Sequence, residues 1–231
     1  MDTQQKADKV REVRMNGALI TALNEADTIG QLVKFLKMQG LEVCVIDDGS
    51  DDYTGAIAIG WGANVIRHEK PQGIGKSLLE GWQYALGQDW AHTVQIDAGG
   101  SHDPHEWLKS FYVDVDIMIG SRFLHASQYI GRGWRAIASR ITATLLNFAT
   151  HKKITDWTSG YRIFSNRALR ELVDIQYMTN GHTWQIEVLG EAIHKKLTIS
   201  EFPITYTAGN STMKWKTVDD LIKVYLWVLN R

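Results

Sequence analysis

The hydrophobic positions in the first half of the chain follow two alternating patterns, which predict strands and helices in turn. Short uninterrupted apolar runs predict strands, and apolar residues three and four positions apart predict helices between them. The predicted strands are 17–23, 41–46, 64–67, 93–96 and 115–119, and the predicted helices are 26–39, 75–86 and one that begins at Pro104. Alternation of this kind is typical of a mainly parallel sheet with helices on its faces, so we expect an α/β fold.

The second half of the chain has helical periodicity over most of its length. The predicted helices are 134–150, 167–172, 183–194 and 218–229, and the predicted extended segment is 197–206. No internal repeat, low-complexity tract or proline-rich linker interrupts the sequence, which contains only three prolines. We therefore expect residues 1–231 to form a single domain, in which the polar and charged residues 1–14 form a flexible leader.

Composition and charge narrow the class of protein. The 25 basic and 26 acidic residues nearly balance, which disfavours a nucleic acid as the partner. No apolar run approaches the roughly 20 residues that span a bilayer. We therefore expect a cytoplasmic protein that contacts a membrane, if at all, at its periphery. The single cysteine, Cys44, cannot form an internal disulfide, and its apolar neighbours predict a core residue rather than a nucleophile.

Polar clusters follow three of the predicted strands, at the points where those strands end. They are residues 21–25, 47–50 and 97–103, and each contains a carboxylate. In open α/β sheets ligands bind at the carboxyl ends of the strands, and carboxylates there suit ribose hydroxyls and divalent cations. Asp, Gly and Ser are also ordinary turn residues, but such clusters at successive strand ends favour a nucleotide site over turn chemistry alone.

The order and spacing of these clusters and of several later motifs resemble those of family 2 glycosyltransferases of the GT-A type. In particular, the motifs are similar to those of soluble dolichyl-phosphate mannose synthases and other polyprenyl-phosphate glycosyltransferases. The matching segments are 22–25, 45–50, 73–77, 101–104, 120–122, 134–140, 156–162, 184–187 and 203–204. The resemblance implies a GT-A fold with a Rossmann-like, mainly parallel sheet. It also implies transfer of a sugar, with inversion, from GDP-mannose or a UDP-hexose to a polyprenyl phosphate.

The resemblance assigns the donor side of the reaction to residues near the strand ends. The residues expected to bind the nucleotide sugar are Leu23, Asn24, Glu25, Asp48, Gly75, Lys76 and Asp97. Asp97 is also expected to hold Mg²⁺ or Mn²⁺, because hard cations prefer oxygen ligands and offset the charge of a leaving nucleoside diphosphate. The family's Asp-Xaa-Asp metal motif ends here in Gly99. His102 or Asp103 would have to substitute, or the cation would bind weakly or be absent.

The acceptor side of the reaction is assigned by the same resemblance, which implies that Arg122, Arg135 and Ser139 bind the acceptor phosphate. Guanidinium groups pair with phosphate oxygens through two parallel hydrogen bonds, and residues four apart on a helix share one face. Arg122 and Asp156 are the expected catalytic residues. A phosphate monoester is largely dianionic at neutral pH and can attack without a general base. An alcohol acceptor would need a base, for which Asp156 and Glu187 are candidates.

Two departures from the family pattern keep other functions open. The first is Gly99, which stands where the metal motif has its second aspartate. The second is the segment 207–214, which lacks the arginine that the family carries there, and Lys214 would replace that arginine only in part. The same fold and donor could therefore serve a soluble acceptor such as a sugar, a protein or a modified nucleic-acid base. A non-catalytic, nucleotide-binding regulatory subunit is the alternative from another class. The apolar stripe of the predicted helix 218–229 fits either a lipid-facing surface or packing on the core.

Overall fold

A mixed sheet of seven strands organises the computed structural model, which describes residues 15–109, 114–131, 133–208 and 215–230. The strands are β1 (Met15–Ala22), β2 (Glu42–Asp47), β3 (Asn64–Arg67), β4 (His92–Asp97), β5 (Ile117–Ser121), β6 (Gln128–Ile130), β7 (Arg162–Ser165), β8 (Ile199–Pro203) and β9 (Thr205–Thr207). The helices are α1 (Ala26–Met38), α2 (Thr54–Gly60), α3 (Ile74–Gly87), α4 (Gly133–Thr150), α5 (Asn166–Leu172), α6 (Trp184–His194) and α7 (Trp215–Leu229). A 3₁₀ turn spans Glu106–Lys109.

The strand order of the sheet is β3-β2-β1-β4-β7-β5-β8, and β7 runs antiparallel to both of its neighbours. β1 pairs in parallel with β2 on one side and with β4 on the other, and β5 pairs in parallel with β8. Outside this sheet, β6 and β9 form a short parallel pair. The expected α/β fold, with a mainly parallel mixed sheet flanked by helices, is confirmed.

Most predicted elements are confirmed, with boundaries within three residues of the observed ones. The helix expected to begin at Pro104 is wrong within the described part, where only the 3₁₀ turn Glu106–Lys109 forms. The sequence pattern does not predict α2, β6 or β7, which contain seven, three and four residues. Segments this short show too little periodicity to be recognised. The expected leader 1–14 lies outside the described residues.

Both faces of the sheet are covered, because successive side chains of each strand point to opposite faces. On β1, Leu19 packs into a buried cluster with Trp82, whereas its neighbour Ile20 packs into a second cluster with Ile29. Cys44 of β2 lies in the Leu19 cluster and is fully buried, and this burial raises the pKa of its thiol to about 12. The expectation that Cys44 is a core residue is confirmed.

The helices α4 and α7 pack against each other and against the Leu19 cluster. The apolar stripe predicted for α7 was expected either to face lipid or to pack on the core, and its residues are found both on the core and at the surface. Leu221 and Tyr225 pack on the core, whereas Ile222, Leu226 and Leu229 are exposed. Among the described residues, no helix has the length and apolar character needed to cross a bilayer.

Candidate active site

The carboxyl ends of β2, β1 and β4 bring the predicted polar clusters to one edge of the sheet. β1 lies between the other two strands, with Ala22 in register with Asp47 and Thr21 in register with Asp97. The loops that follow these strands therefore emerge side by side. This is the edge at which open α/β sheets bind their ligands.

The loop after β1 is tied to the loop after β2 through Asn24 and Glu25. Asn24 adopts a left-handed conformation with φ of 57°, which an asparagine tolerates better than most residues. Its backbone N–H donates to Ser50 Oγ at 2.9 Å, and its Oδ1 accepts the Asp51 N–H at 2.8 Å. The Glu25 N–H donates to Thr54 Oγ1 at 2.8 Å. These bonds fix the backbone of Asn24 and Glu25, two of the residues expected to bind the nucleotide sugar. The side chain of the neighbouring Leu23, a third such residue, is exposed.

Asp48 holds the segment that leads from β3 into α3. Its carboxylate accepts the N–H groups of Gln72 at 2.7 Å and Gly73 at 2.9 Å, and lies 2.7 Å from His68 Nδ1. Burial alone would raise the pKa of Asp48, but these three bonds hold it below its ordinary value. His68 Nε2 lies 2.7 Å from Glu80 Oε2, so two carboxylates raise the pKa of this histidine against the opposing effect of burial.

The first turn of α3 contains Gly75 and Lys76 and is held by a residue distant in sequence. Asn180 Oδ1 accepts the Lys76 N–H at 2.7 Å, and Asn180 Nδ2 donates to the Gln72 carbonyl. A Cβ on Gly75 would stand 2.9 Å from both Asn180 Oδ1 and Trp184 Cδ1, so a glycine is needed for this close approach. The Lys76 side chain is 52% exposed and contacts Gln72 and Glu80. The segment before it, 67–72, lines a cavity of about 500 Å³.

Asp97 ends β4, with 39% of its side chain exposed. Thr21 Oγ1 donates a hydrogen bond of 3.4 Å to its Oδ1, and a Cβ added to Gly160 would stand 3.1 Å from its Oδ2. His102 Nε2 lies 3.9 Å from the same oxygen, which is outside hydrogen-bonding distance. The Asp97 carboxylate is therefore positioned by its neighbours yet remains accessible to a ligand.

Of the two residues expected to substitute for the missing metal carboxylate, His102 is the one that faces Asp97. The His102 side chain is 3% exposed, and its Nδ1 has no hydrogen-bond partner in the described part of the chain. Burial lowers the pKa of its imidazole although the Asp97 charge opposes this, so the ring is neutral at neutral pH. Asp103 is exposed and accepts the His105 N–H at 2.9 Å.

The groups near Asp97 fit a divalent cation whose coordination is completed by substrate phosphates. Within the described ranges, no group of three or more His, Cys, Asp or Glu side chains is arranged as a ready ligand set. Mg²⁺ commonly binds through one or two carboxylates plus substrate phosphates rather than in an all-protein cage. Glu25 is a second carboxylate at this edge. Burial and the charges of Asp52 and Asp97 raise its pKa, against a hydrogen bond from Thr28 that lowers it.

Arg122 and Asp156 form a buried ion pair with two parallel hydrogen bonds. Arg122 Nε donates to Asp156 Oδ2 at 2.6 Å and Nη2 donates to Oδ1 at 2.7 Å. Burial alone would raise the pKa of Asp156, but the guanidinium holds it below its ordinary value. Asp156 is 1% exposed, so its carboxylate contacts Arg122 rather than solvent. Arg122 Nη1 has no hydrogen-bond partner among the described residues, and the guanidinium lies 5.1 Å from the Tyr206 ring centre.

Ser139, one of the two acceptor residues predicted on α4, is linked to this ion pair through Thr158. Thr158 Oγ1 lies 3.4 Å from Ser139 Oγ and 3.2 Å from Asp156 Oδ1, and it also accepts a hydrogen bond from Arg122. Arg135, one turn before Ser139, lies with its guanidinium 5.5 Å from the Trp134 ring centre. The structure therefore links Ser139 to Arg122 and Asp156 through Thr158 and places Arg135 on the adjacent turn.

Two glutamates accept backbone N–H groups of nearby loops, and the sequence assigned only Glu187 a role. Glu187, a candidate base, is buried and accepts the N–H groups of Met178 at 2.6 Å and Thr179 at 2.8 Å, so it holds a loop. Glu201 accepts the N–H groups of Thr155 and Asp156 at 3.0 Å and so positions Asp156. The signal for Glu201 is the single carboxylate in β8, whose sequence is Ile-Ser-Glu-Phe-Pro. Burial raises the pKa of both glutamates.

The order of these elements is that of a known family. The model for Glycosyl transferase family 2 matches residues 18–173, which is more than half of the chain. The chain belongs to glycosyl transferase family 2. It is therefore a glycosyltransferase, and the matched range contains Asp97, Arg122 and Asp156.

Two relatives of this glycosyltransferase have names that refer to a polyprenol or to undecaprenyl phosphate. It is 28% identical over 235 residues to a polyprenol monophosphomannose synthase from Mycolicibacterium smegmatis, covering 94% of this chain and 88% of that protein. It is 26% identical over 202 residues to an undecaprenyl-phosphate mannosyltransferase from Micrococcus luteus, covering 81% and 82% of the two chains. The resemblance stated from the sequence motifs is confirmed at the level of the family.

The fold is that of solved GT-A glycosyltransferases. Glucosyl-3-phosphoglycerate synthase from Mycobacterium tuberculosis, solved with UDP, aligns with a TM-score of 0.72 and 18% identity over 100% of this chain and 85% of that one. Its complex with Mn²⁺ and UDP-glucose aligns with a TM-score of 0.71 and 18% identity over 100% and 84%. At this identity the likeness concerns the fold, and the expected GT-A fold is confirmed.

Proposed function

We propose that this family 2 glycosyltransferase works as a single domain at a membrane surface and transfers a hexose from a nucleotide-diphospho-sugar to a polyprenyl phosphate. The observation that carries the proposal is an apolar stripe on the outer face of α4, here called the outer stripe. Its members are 45–79% exposed, and they are Trp134, Ile137, Ile141, Leu145 and Phe148.

The outer stripe is opposite the face by which α4 packs on the protein. Its residues are three or four positions apart and so share one face, whereas Ala143 and Leu146 are buried on the other side. A surface helix normally presents polar residues to water. α4 contains no acidic residue, and Ile222 and Leu226 of α7, which packs against α4, are also exposed. An exposed apolar stripe of this length on one helix face favours an interaction site.

Three exposed basic residues lie on α4 or just after its end, which favours a bilayer with anionic lipids as the partner of the outer stripe. Arg140 lies on α4 beside the stripe, and Lys152 and Lys153 follow the end of the helix, all three exposed. Helices that lie in the plane of a membrane combine apolar side chains on one face with Lys and Arg near the headgroups. Each such cation contributes about 1 kcal/mol near an anionic surface.

The outer stripe and the acceptor residues lie on the same helix. Ser139 and Arg135 are on α4 itself, and Thr158 connects Ser139 to the Arg122–Asp156 pair. An acceptor with a phosphate at Arg122 and an apolar chain along α4 must be amphiphilic. A polyprenyl phosphate meets both requirements, and the printed names of the two curated relatives agree with that class.

The chemistry proposed for this site needs no general base. A phosphate monoester has a second pKa of about 6, so an ionised oxygen can attack the anomeric carbon directly. The bond from that carbon to the donor phosphate breaks, and the nucleoside diphosphate leaves with the electron pair while the carbon inverts. A divalent cation bound with the donor would offset the charge that grows on the diphosphate. Asp156, which the guanidinium keeps ionised, is proposed to orient Arg122 toward the acceptor phosphate.

The direct test is turnover with defined donors and a lipid acceptor. The purified protein is incubated with Mn²⁺ and either GDP-mannose or UDP-glucose, with vesicles that contain or lack undecaprenyl phosphate. Lipid-dependent release of nucleoside diphosphate, with a glycosylated lipid in the organic phase, is the expected result. Release that does not depend on the lipid would indicate a soluble acceptor, and no release from either donor would contradict the proposed activity.

The membrane part of the proposal is tested by substitutions in the outer stripe. The double variant Ile141→Ser and Phe148→Ser should bind anionic vesicles at least about tenfold more weakly, since each apolar side chain contributes roughly 1.5–3 kcal/mol when fully buried. Met38→Ser on α1 is the matched control, because Met38 is 73% exposed outside the stripe. Equal sedimentation of the double variant and the control with vesicles would contradict the assignment of α4 as the lipid-facing helix.

A further inference from the structure

We propose that Glu25 supplies the second carboxylate of the divalent-cation site, in place of the aspartate that position 99 lacks. The inference rests on the nucleotide-sugar donor of the proposed function and does not depend on the acceptor. It is specific to this chain, because Gly99 removes the carboxylate that the family's Asp-Xaa-Asp motif would provide.

The Glu25 carboxylate borders the space that a side chain at position 99 would enter. A Cβ built on Gly99 would stand 3.1 Å from Glu25 Oε1, which is the atom nearest to it. Gly99 is not among the glycines with positive φ, so its backbone would accept an aspartate. Glu25 Oε2 accepts a hydrogen bond of 3.3 Å from Thr28 Oγ1, which leaves Oε1 on the side of Gly99. The Glu25 carboxylate is therefore close to the position of the missing one.

Glu25 and Asp97 face this region without a compensating lysine or arginine. In the described part of the chain neither carboxylate forms an ion pair with a Lys or Arg side chain. Their mutual repulsion is relieved when a cation binds between or beside them. Two carboxylates and the oxygens of a diphosphate give the all-oxygen environment that Mg²⁺ and Mn²⁺ prefer.

A buried histidine points to the same place. His102 is 7% exposed, its Nδ1 has no hydrogen-bond partner among the described residues, and its Nε2 lies 3.9 Å from Asp97 Oδ2. The nitrogen that faces Asp97 is Nε2, which makes no hydrogen bond to any described residue; since buried polar groups are normally hydrogen-bonded, a ligand for an ion beside Asp97 is a role that fits it. Imidazole nitrogens are among the commonest metal ligands in proteins. The donor set is thus Asp97, Glu25 and the donor diphosphate, with His102 adjacent.

The experiment moves the carboxylate from position 25 to position 99. Binding of UDP and of GDP is measured by calorimetry, with Mn²⁺ and with EDTA, for the wild type, Glu25→Ala, and Glu25→Ala combined with Gly99→Asp. Mn²⁺ should raise the nucleotide affinity of the wild type at least about tenfold, since loss of even an outer-shell metal partner costs 10–100-fold. Glu25→Ala should lose this increment, and the double variant should regain it because the introduced carboxylate enters the vacated space. Asp27→Asn, an exposed acidic residue of α1, is the matched control for loss of charge.

The outcomes separate the cation site from the donor site. If Glu25→Ala weakens nucleotide binding equally in Mn²⁺ and in EDTA, Glu25 is only a nucleotide contact and the inference is wrong. The inference is also overturned if Mn²⁺ still raises the nucleotide affinity of Glu25→Ala, or if Mn²⁺ does not raise the nucleotide affinity of the wild type. Failure of the wild type to bind either nucleotide under any condition would overturn the donor assignment and this inference together. Paramagnetic resonance of free Mn²⁺ gives a second readout that is independent of catalysis.

Discussion

Replacing Asp156 by asparagine tests whether this residue orients Arg122 or acts as a base. Asp156 accepts hydrogen bonds from Arg122 Nε, Nη2 and N at 2.6, 2.7 and 3.1 Å, and from the Thr158 N–H at 3.2 Å. Asparagine keeps the shape but replaces one acceptor by an NH₂ donor and removes the charge. Removing one partner of a buried ion pair costs about 3–5 kcal/mol, and we expect about 3 because one acceptor remains.

The assay combines stability with kinetics. A loss of about 3 kcal/mol in the free energy of unfolding corresponds to a fall in melting temperature of roughly 6–12 °C for a chain of this size. Asp116→Asn is the control, because Asp116 is also buried and accepts the Thr198 N–H at 2.8 Å outside the site. Both variants should lose stability. Only Asp156→Asn should raise the KM for the lipid acceptor, because only it releases the guanidinium.

Two results would refute this reasoning. A free energy of unfolding within about 1 kcal/mol of the wild type would show that the buried pair carries little energy. Loss of kcat at an unchanged acceptor KM, together with loss of the acidic limb of the pH–rate profile, would assign Asp156 as a base. The candidate base inferred from the sequence would then be correct and the orienting role wrong.

Three further predictions follow from buried groups. His68→Gln should lower the free energy of unfolding most below pH 6.5, and the loss should shrink as pH rises through the pKa of His68 in the folded protein. Asp48 holds that pKa above 6.5, and urea titrations from pH 6 to 9 measure the loss at each pH. Cys44 should react with a thiol reagent only at the rate of unfolding, because burial raises its pKa to about 12; rapid labelling of the native protein would contradict this. Gly17→Ala should lower the melting temperature, since its Cβ would stand 2.3 Å from the Trp90 ring; an unchanged temperature would refute it.

The local elements of the fold could be predicted because their periodicity spans enough residues. The helix 26–39 and the strand 64–67 have the expected bounds to within one residue. The antiparallel strand β7 could not be predicted, because it has only four residues and its partners lie about 70 and 45 residues earlier in the chain. Strand order depends on such non-local pairing, which no local pattern encodes.

The positions of the candidate site residues could be predicted, but many of their contacts could not. Strand ends placed Asp48 and Asp97 at one edge, because parallel strands end together. The sequence gives no sign that Asn180 reaches across 104 residues to the Lys76 N–H. It also gives no sign that the carboxylate of Glu25 borders Gly99, since this depends on how two loops fold over the sheet edge.

The reversed direction of β7 has a consequence for how acceptor specificity can evolve. Because β7 runs against its neighbours, the residues that precede it reach the edge where β4 ends, and Gly160 lies against Asp97 while Asp156 binds Arg122. A single short loop thus contacts both Asp97, the proposed donor-site carboxylate, and Arg122, the proposed acceptor-binding arginine, and an insertion there would disturb both. New acceptors are therefore expected to arise through substitutions on α4, which can change its outer surface without moving the donor site.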